Sequence, residues 1–396
     1  MAVQDVVLAA PVRTPIGKFG GVFSELSAAD LGTFVVKACL ERAELPADVV
    51  SELILGNARQ AGTGPNIARQ VLYRAGIPIT SPAYTINQAC ASGIKSIINA
   101  YQDVVLGEAE LVVAGGTESM SNAPYLLTRA RWGYRLGHGE LVDAMYRDGF
   151  LCPLSKLIMG ETAEKLAEQY GISREEQDRY AVESQVRCER ARKQGRFKDE
   201  IVPIPLEGAK GSTRLVDQDE HPRDGVTLES ISKLPPVFRP GGSVHAGNSS
   251  GITDGAAAIL VLSAEKARSL GVRPWARVVG SAICGVDPSI MGIGPVPAVR
   301  TLLHKTGIRL DQIGLIELNE AFAAQVLACQ RDLNLDLGRT NVNGGSIALG
   351  HPIGCTGARI VVTLLHEMEK RRESLGLATL CVSGGLGAAL LLERCA

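Results

Sequence analysis

The hydrophobic positions of the chain follow two rhythms. Short, mostly apolar runs occupy residues 6–10, 52–55, 83–86, 111–114, 256–262, 315–318, 377–381 and 388–392. Residues 275–283 alternate like a longer strand. Between these runs, apolar groups recur every three or four residues over 28–43, 91–106, 161–170, 174–194, 295–304 and 321–331, and from about 357 to 371. The first rhythm predicts buried strands and the second amphipathic helices, so the chain reads as α/β.

The order of elements repeats. Strand 52–55, a polar loop and a helix parallel strand 315–318, Asn319 and a helix. Cys90-Ala-Ser-Gly93 opens one helix and Cys355-Thr-Gly357 another. Strand 111–114 runs into Gly115-Gly116, and strand 377–381 runs into Ser383-Gly-Gly. Two similar α/β halves are predicted: residues 1–119 with 250–272, and residues 273–396. The segment 120–249 between them is more charged and is broken by Pro203, Pro205, Pro222, Pro235, Pro236 and Pro240. It reads as an inserted loop domain. Within it, Ser173-Arg-Glu-Glu176 is a capping-box pattern, and the charge-crowded helix that follows reads as a solvated surface helix.

Composition narrows the function. With 41 Lys and Arg against 42 Asp and Glu, the net charge is −1, which excludes a general polyanion binder. Aromatics make up 4% and none interleave with a basic run, so no nucleic-acid partner is expected. No apolar run approaches the ~18 residues of a membrane span. The first residues lack a basic segment and a cleavage signal, and a cytoplasmic location is expected. The 9 cysteines include no C-x-x-C pair and are odd in number, which favours free thiols in a reducing compartment. No metal-ligand spacing occurs, since His366-Glu-Met-Glu-Lys lacks a second histidine, and no metal is expected.

Four residues stand out for chemistry. Cys90 lies on a tight turn where a strand hands over to a helix. The unpaired N–H groups and dipole of that helix favour a thiolate. His351 lies in a glycine-rich loop that lets backbone approach a ligand, and is a candidate base for a thiol. Cys381 and Asn319 both fall at strand C-termini, where sites in such sheets form. Each residue alone has a plainer reading, as a core thiol, a loop histidine or a turn asparagine. Gly247-Asn-Ser-Ser-Gly251 fits G-x-S-x-G, but the segment before it is a poor strand, which argues against Ser249 as a nucleophile.

Four ordered blocks resemble the thiolase family over essentially the whole chain: Asn87-Gln-Ala-Cys-Ala-Ser-Gly93, Asn319-Glu-Ala-Phe-Ala323, Asn343-Gly-Gly-Ser-Ile-Ala-Leu-Gly-His-Pro-Ile-Gly354 and Cys381-Val-Ser-Gly-Gly385. The resemblance implies two mixed five-stranded sheets in an αβαβα stack. It implies reversible condensation of two acetyl-CoA to acetoacetyl-CoA and CoA, with no permanently bound cofactor. Cys90, activated by His351, would carry the acyl group, and Cys381 would remove the α proton of the second acetyl-CoA. The N–H groups of Cys90 and Ser383 would hold one oxyanion, and His351 with a water on Asn319 the enolate oxygen. Arg223 would meet the nucleotide of CoA, Ser250 the pantetheine, and Met159 the acyl group. The segment 129–149 resembles a tetramer-forming loop and implies a homotetramer, a dimer of dimers. Three positions depart from the pattern: Ile158 stands where acetoacetyl-type members carry histidine, Ser383 where glycine is usual, and His245 where threonine is commoner. The same catalytic set also suits a broader 3-ketoacyl-CoA thiolase, and a non-catalytic CoA or lipid binder on this scaffold is a further reading. The pair Asn319 and Cys381 argues against a decarboxylating ketoacyl synthase.

Overall fold

The computed structural model describes residues 5–207 and 212–395. The strands that build the core are β1 Val6–Arg13, β2 Glu52–Gly56, β3 Ala83–Ile86, β4 Leu111–Ser119, β5 Thr253–Ser263, β6 Ala276–Gly285, β7 Leu315–Leu318, β8 Leu375–Val382 and β9 Leu386–Arg394. The main helices are α1 Ala28–Arg42, α2 Ile67–Ala75, α3 Ser92–Leu106, α4 Met159–Tyr170, α5 Arg174–Lys193, α6 Pro295–Thr306, α7 Ala323–Leu333 and α8 Ile353–Arg371.

The repeat in the sequence is a repeat in topology. The first half runs β1-β5-β4-β2-β3 across its sheet, with the first two pairings antiparallel and the last two parallel. The second half runs β6-β9-β8-β7 with the same directions, and its fifth place is a single parallel bridge from Ile316 to Thr340. The second sheet therefore has four strands and a bridge rather than the five strands expected. The two sheets also meet edge to edge, through Val7 with Arg277 and Leu8 with Ala276.

Strand alternation sorts side chains into layers. Val112 and Ala114 of β4 face an inner core with α3 and α8, while Leu111 and Val113 face an outer core with α1 and α2. In the second half, Ala378 and Leu380 of β8 join that same inner core, and Leu377 joins a third core with α6 and α7. The result is the αβαβα stack, with α3 and α8 shared by both sheets. A helix packed on all sides must be apolar all round, and α8 is buried from Ile353 to Met368. Two glycines let α3 and α8 touch at their starts. A Cβ on Gly93 would lie 2.6 Å from the Ala358 nitrogen, and one on Gly357 would lie 2.3 Å from the Ile94 nitrogen. The turn before α3 and the loop before α8 are thereby brought together.

Helix α5 differs from its sequence reading. Its capping box forms, with Ser173 and Glu176 exchanging bonds of 2.7 and 3.2 Å. Yet one face is buried through Gln177, Asp178, Tyr180, Ser184, Gln185 and Cys188. That face is mostly polar, so an apolar periodicity search passes over it. Helix α8 begins at Ile353, inside what reads as loop, because Pro352 precedes it in extended backbone and sets its start.

Candidate active site

Cys90 sits in a single 3₁₀ turn, Ala89–Ala91, between β3 and α3. Ala89 is held in the left-handed region at φ 46°, a conformation that costs an alanine about 1–2 kcal/mol. The turn is pinned by Ser92, whose Oγ donates to the Ala89 carbonyl (2.7 Å) and accepts the Gln88 N–H (2.9 Å). The Ala89 N–H donates to Asn87 Oδ1 at 3.0 Å. Such strain over-determined by its surroundings marks a site rather than a simple connection.

The Cys90 thiol is buried, and burial pushes its pKa up. The N–H groups of Ser383 and of Cys90 itself, together with the charge of Arg59, pull it back without reversing the shift. The expected drift towards thiolate is therefore corrected: desolvation outweighs the helix start, and the thiol needs a base. Ser383 has no positive φ, so the side chain in place of the usual glycine strains nothing, and its N–H reaches the sulfur.

His351 lines the same cavity as Cys90. Its Nδ1 lies 2.6 Å from Thr356 Oγ1, and that hydroxyl donates to the Pro352 carbonyl at 2.9 Å. A hydroxyl has one proton, and Thr356 gives it to Pro352. The imidazole must then donate its Nδ1–H, which leaves the lone pair on Nε2. Nε2 is buried and has no hydrogen-bond partner among the described residues. Burial, then Arg359 and Arg59, push the pKa of His351 down to about 3, so the ring is neutral at physiological pH.

Buried carboxylates lock the surrounding loops. Glu118, at the end of β4, accepts from Asn57 Nδ2 (2.7 Å), the Ala58 and Arg59 N–H groups (3.0 Å each) and the Gly354 N–H (2.7 Å). It ties the ends of β2 and β4 to the start of α8. Glu320 accepts from Tyr180 (2.8 Å) and Ser184 (2.7 Å) of α5, from Asn341 (3.1 Å) and from the Ile347 N–H (3.1 Å). It ties the strand end carrying Asn319 to the loop carrying His351. His245 is fully buried; its Nδ1 accepts the Gly247 N–H, so Nε2–H donates to Asp178 Oδ1 at 2.6 Å. Ser249 Oγ donates to the His245 carbonyl at 2.8 Å, a turn-forming bond that leaves it no general base.

A cavity of about 380 Å³ opens over these groups. Cys90, His351 and Ser383 line it together with Ile158, Met159, Ser250 and Arg223. Arg223 is exposed and Met159 buried, which orders the wall from mouth to interior. Asn319 and Cys381 do not line the cavity. Cys381 is buried against Met159, Met291, Ala321 and Phe322, all of which do. Burial and the neighbouring Cys90 hold the Cys381 thiol well above its ordinary pKa. Asn319 is buried, and its Nδ2 has no partner among the described residues.

Reading the sequence missed Glu118, Arg59 and Thr356. A glutamate four residues beyond the apolar run 111–114 was the available signal for Glu118. Thr356 gave none, because its role depends on where a proton sits.

Residues 6–265 match the thiolase N-terminal domain and residues 272–394 the thiolase C-terminal domain. An acetyl-CoA acetyltransferase of Pseudomonas aeruginosa is 51% identical over 391 residues, 99% of this chain and 100% of that protein. The crystal structure of the Bacillus anthracis acetyl-CoA acetyltransferase superposes with a TM-score of 0.97 at 46% identity, covering 100% of both chains. Human mitochondrial 3-ketoacyl-CoA thiolase in complex with CoA superposes with a TM-score of 0.95 at 43% identity, covering 99% of this chain and 98% of that one. The duplicated halves, the cysteine under two N–H groups and these full-length matches agree, and the chain belongs to the thiolase family.

Proposed function

We propose that this thiolase is an acetyl-CoA acetyltransferase that condenses two acetyl-CoA to acetoacetyl-CoA and CoA, reversibly, through an acetyl group on Cys90. The observation that carries the reading is one cavity wall. It presents Cys90 beneath the Ser383 N–H, and His351 with its unpaired Nε2. In the first half, Nε2 takes the Cys90 proton as the sulfur attacks the thioester carbonyl. The Cys90 and Ser383 N–H groups hold the oxyanion, and such donors contribute about 2.7–4 kcal/mol each. The C–S bond to CoA breaks, and the leaving CoA thiolate takes the Cys381 proton. In the second half, the Cys381 thiolate takes the α proton of a second acetyl-CoA, and the electron pair moves to the thioester oxygen. His351, now protonated, and a water on Asn319 hold that oxygen. The enolate carbon attacks acetyl-Cys90, the C–S bond breaks, and His351 returns its proton to Cys90. A thiol of raised pKa is a strong base once ionised, which suits an α carbon.

In this reading the insertion 120–249 carries much of the CoA contact, with Arg223 at the nucleotide and Met159 at the acyl group, and Ser250, just beyond it, meets the pantetheine. The same insertion exposes Tyr125, Leu127, Trp132, Leu136 and Leu141, an apolar patch that fits a homotetramer, read by light scattering. A cytoplasmic setting fits the free thiols, and no helix among the described residues is long and apolar enough to cross a membrane.

Mass spectrometry after mixing with acetyl-CoA tests the reading. One acetyl group on Cys90 is expected, absent in Cys90→Ala. No adduct from a folded protein that also fails to thiolyse acetoacetyl-CoA would mark a CoA-binding protein instead. A second reading, a broader 3-ketoacyl-CoA thiolase, is favoured by the apolar wall of Phe150, Ile158, Phe238, Met291 and Phe322. Markedly faster cleavage of a longer 3-ketoacyl-CoA than of acetoacetyl-CoA would decide for it.

A further inference from the structure

A chain of buried polar groups leads from Asn319 to Ser346 and Arg359, neither of which lines the cavity. Ser346 Oγ lies 2.6 Å from Asn319 Oδ1, and Arg359 Nη2 lies 3.0 Å from Ser346 Oγ. Asn319, Ser346 and Arg359 are each at most 1% exposed. Arg359 Nη1 stands 3.6 Å from Glu317 Oε2, beyond hydrogen-bond reach, and Arg359 Nε and Nη1 have no hydrogen-bond partner among the described residues.

Donor and acceptor roles in this chain are forced. A guanidinium can only donate, so the Ser346 oxygen accepts from Arg359. Ser346 then has one proton left, and Asn319 is its remaining partner. The atom of Asn319 that meets it must be the carbonyl oxygen. The amide is thereby oriented, with oxygen towards Ser346 and the NH₂ on the other side. A flipped amide would leave the buried Ser346 proton with no acceptor.

We propose that Ser346 and Arg359 are positioning residues for the second half of the reaction: they make Asn319 present a donor, not an acceptor, to the water that holds the enolate oxygen. The inference rests on the proposed acetyl transfer. The orphaned Nδ2 supports it, because a buried amide N–H is kept unpaired only where something else will accept from it. The sign of the effect matters. An amide oxygen in that place would draw one of that water's protons to itself, in competition with the enolate oxygen that forms when Cys381 removes the α proton. Acetylation of Cys90 does not use Asn319, since its oxyanion is held by Cys90 and Ser383. Loss of the relay should therefore divide the two half-reactions.

The test measures both halves on the full-length enzyme. Rapid-quench mass spectrometry gives the rate of Cys90 acetylation by acetyl-CoA. Deuterium uptake from D₂O into the methyl group of acetyl-CoA gives the rate of enolate formation, as Cys381 returns a deuteron. For Ser346→Ala, acetylation should stay within about threefold of wild type, while deuterium uptake falls at least about tenfold, the scale of one lost hydrogen bond. Full acetylation of the variant also reports an intact fold. Should Ser346→Ala fail to fold, Ser346→Cys, a weaker donor, makes the same comparison. Equal losses in both halves, or unchanged deuterium uptake, would overturn the positioning role. Absence of acetylation in the wild-type enzyme would instead overturn the proposed function and leave the relay without a reaction to serve.

Discussion

Thr356→Val tests the assignment of the base. Valine has the shape of threonine and lacks the hydroxyl, and residue 356 is fully buried, so packing changes little. What is lost is the acceptor 2.6 Å from His351 Nδ1. The Nδ1–H must then stay unpaired in a dry site, which costs about 1–3 kcal/mol, or the proton must move to Nε2, which removes the base. Either path raises the barrier to Cys90 acylation by the same order, a slowing of about 5- to 150-fold. Alkylation of Cys90 by iodoacetamide, followed against pH, reads this directly, because only the thiolate reacts. The variant should alkylate more slowly at neutral pH, with its profile moved to higher pH. Thr356→Ser keeps the hydroxyl and should restore most of the rate. A wild-type profile in Thr356→Val would refute the reasoning, since His351 would then need no fixed tautomer.

The neutral ring has a second consequence. His351 titrates near 3 in the folded protein and near 6.5 unfolded, so the unfolded chain binds the extra proton between those values and stability falls as pH drops through that window. At pH 4.5 the loss from this group is on the order of 3 kcal/mol, and urea melts of His351→Asn should lack that part of the pH dependence. Gly93→Ala would put a methyl group 2.6 Å from the Ala358 nitrogen and 3.0 Å from the carbonyl oxygens of Gly354 and Cys355, backbone that cannot turn aside. It should destabilise by about 1–3 kcal/mol in thermal melts and slow acylation, because the two loops are forced apart. Ser383→Gly should acylate Cys90 within about twofold of wild type, because the donor is the backbone N–H and not the side chain; a large change would place the hydroxyl in the chemistry.

Much of this molecule is local information. Strand runs such as 111–114 and helix periods such as 91–106 state which face must leave water, and the Ser173 capping box states where a helix starts. The repeated order of these elements was enough to imply two like halves. Cys90, His351, Asn319 and Cys381 each stand at an element end, and the four blocks that hold them are contiguous in sequence, so the family resemblance could be seen without coordinates.

The rest belongs to the tertiary structure, because it depends on groups far apart in the chain sharing a dry space. The fifth place of the second sheet shrank to one bridge at Thr340, which no periodicity forecasts. The polar face of α5 looked like solvent exposure until Tyr180 and Ser184 met Glu320. The Cys90 thiol sits at a helix start, which by local rules favours the anion, yet the depth of burial reversed the sign. The tautomer of His351 and the orientation of Asn319 each follow from a single proton on a neighbouring hydroxyl. Sequence determines which residues can donate or accept; only the folded arrangement, by removing water and limiting each group to one or two partners, decides which of them do.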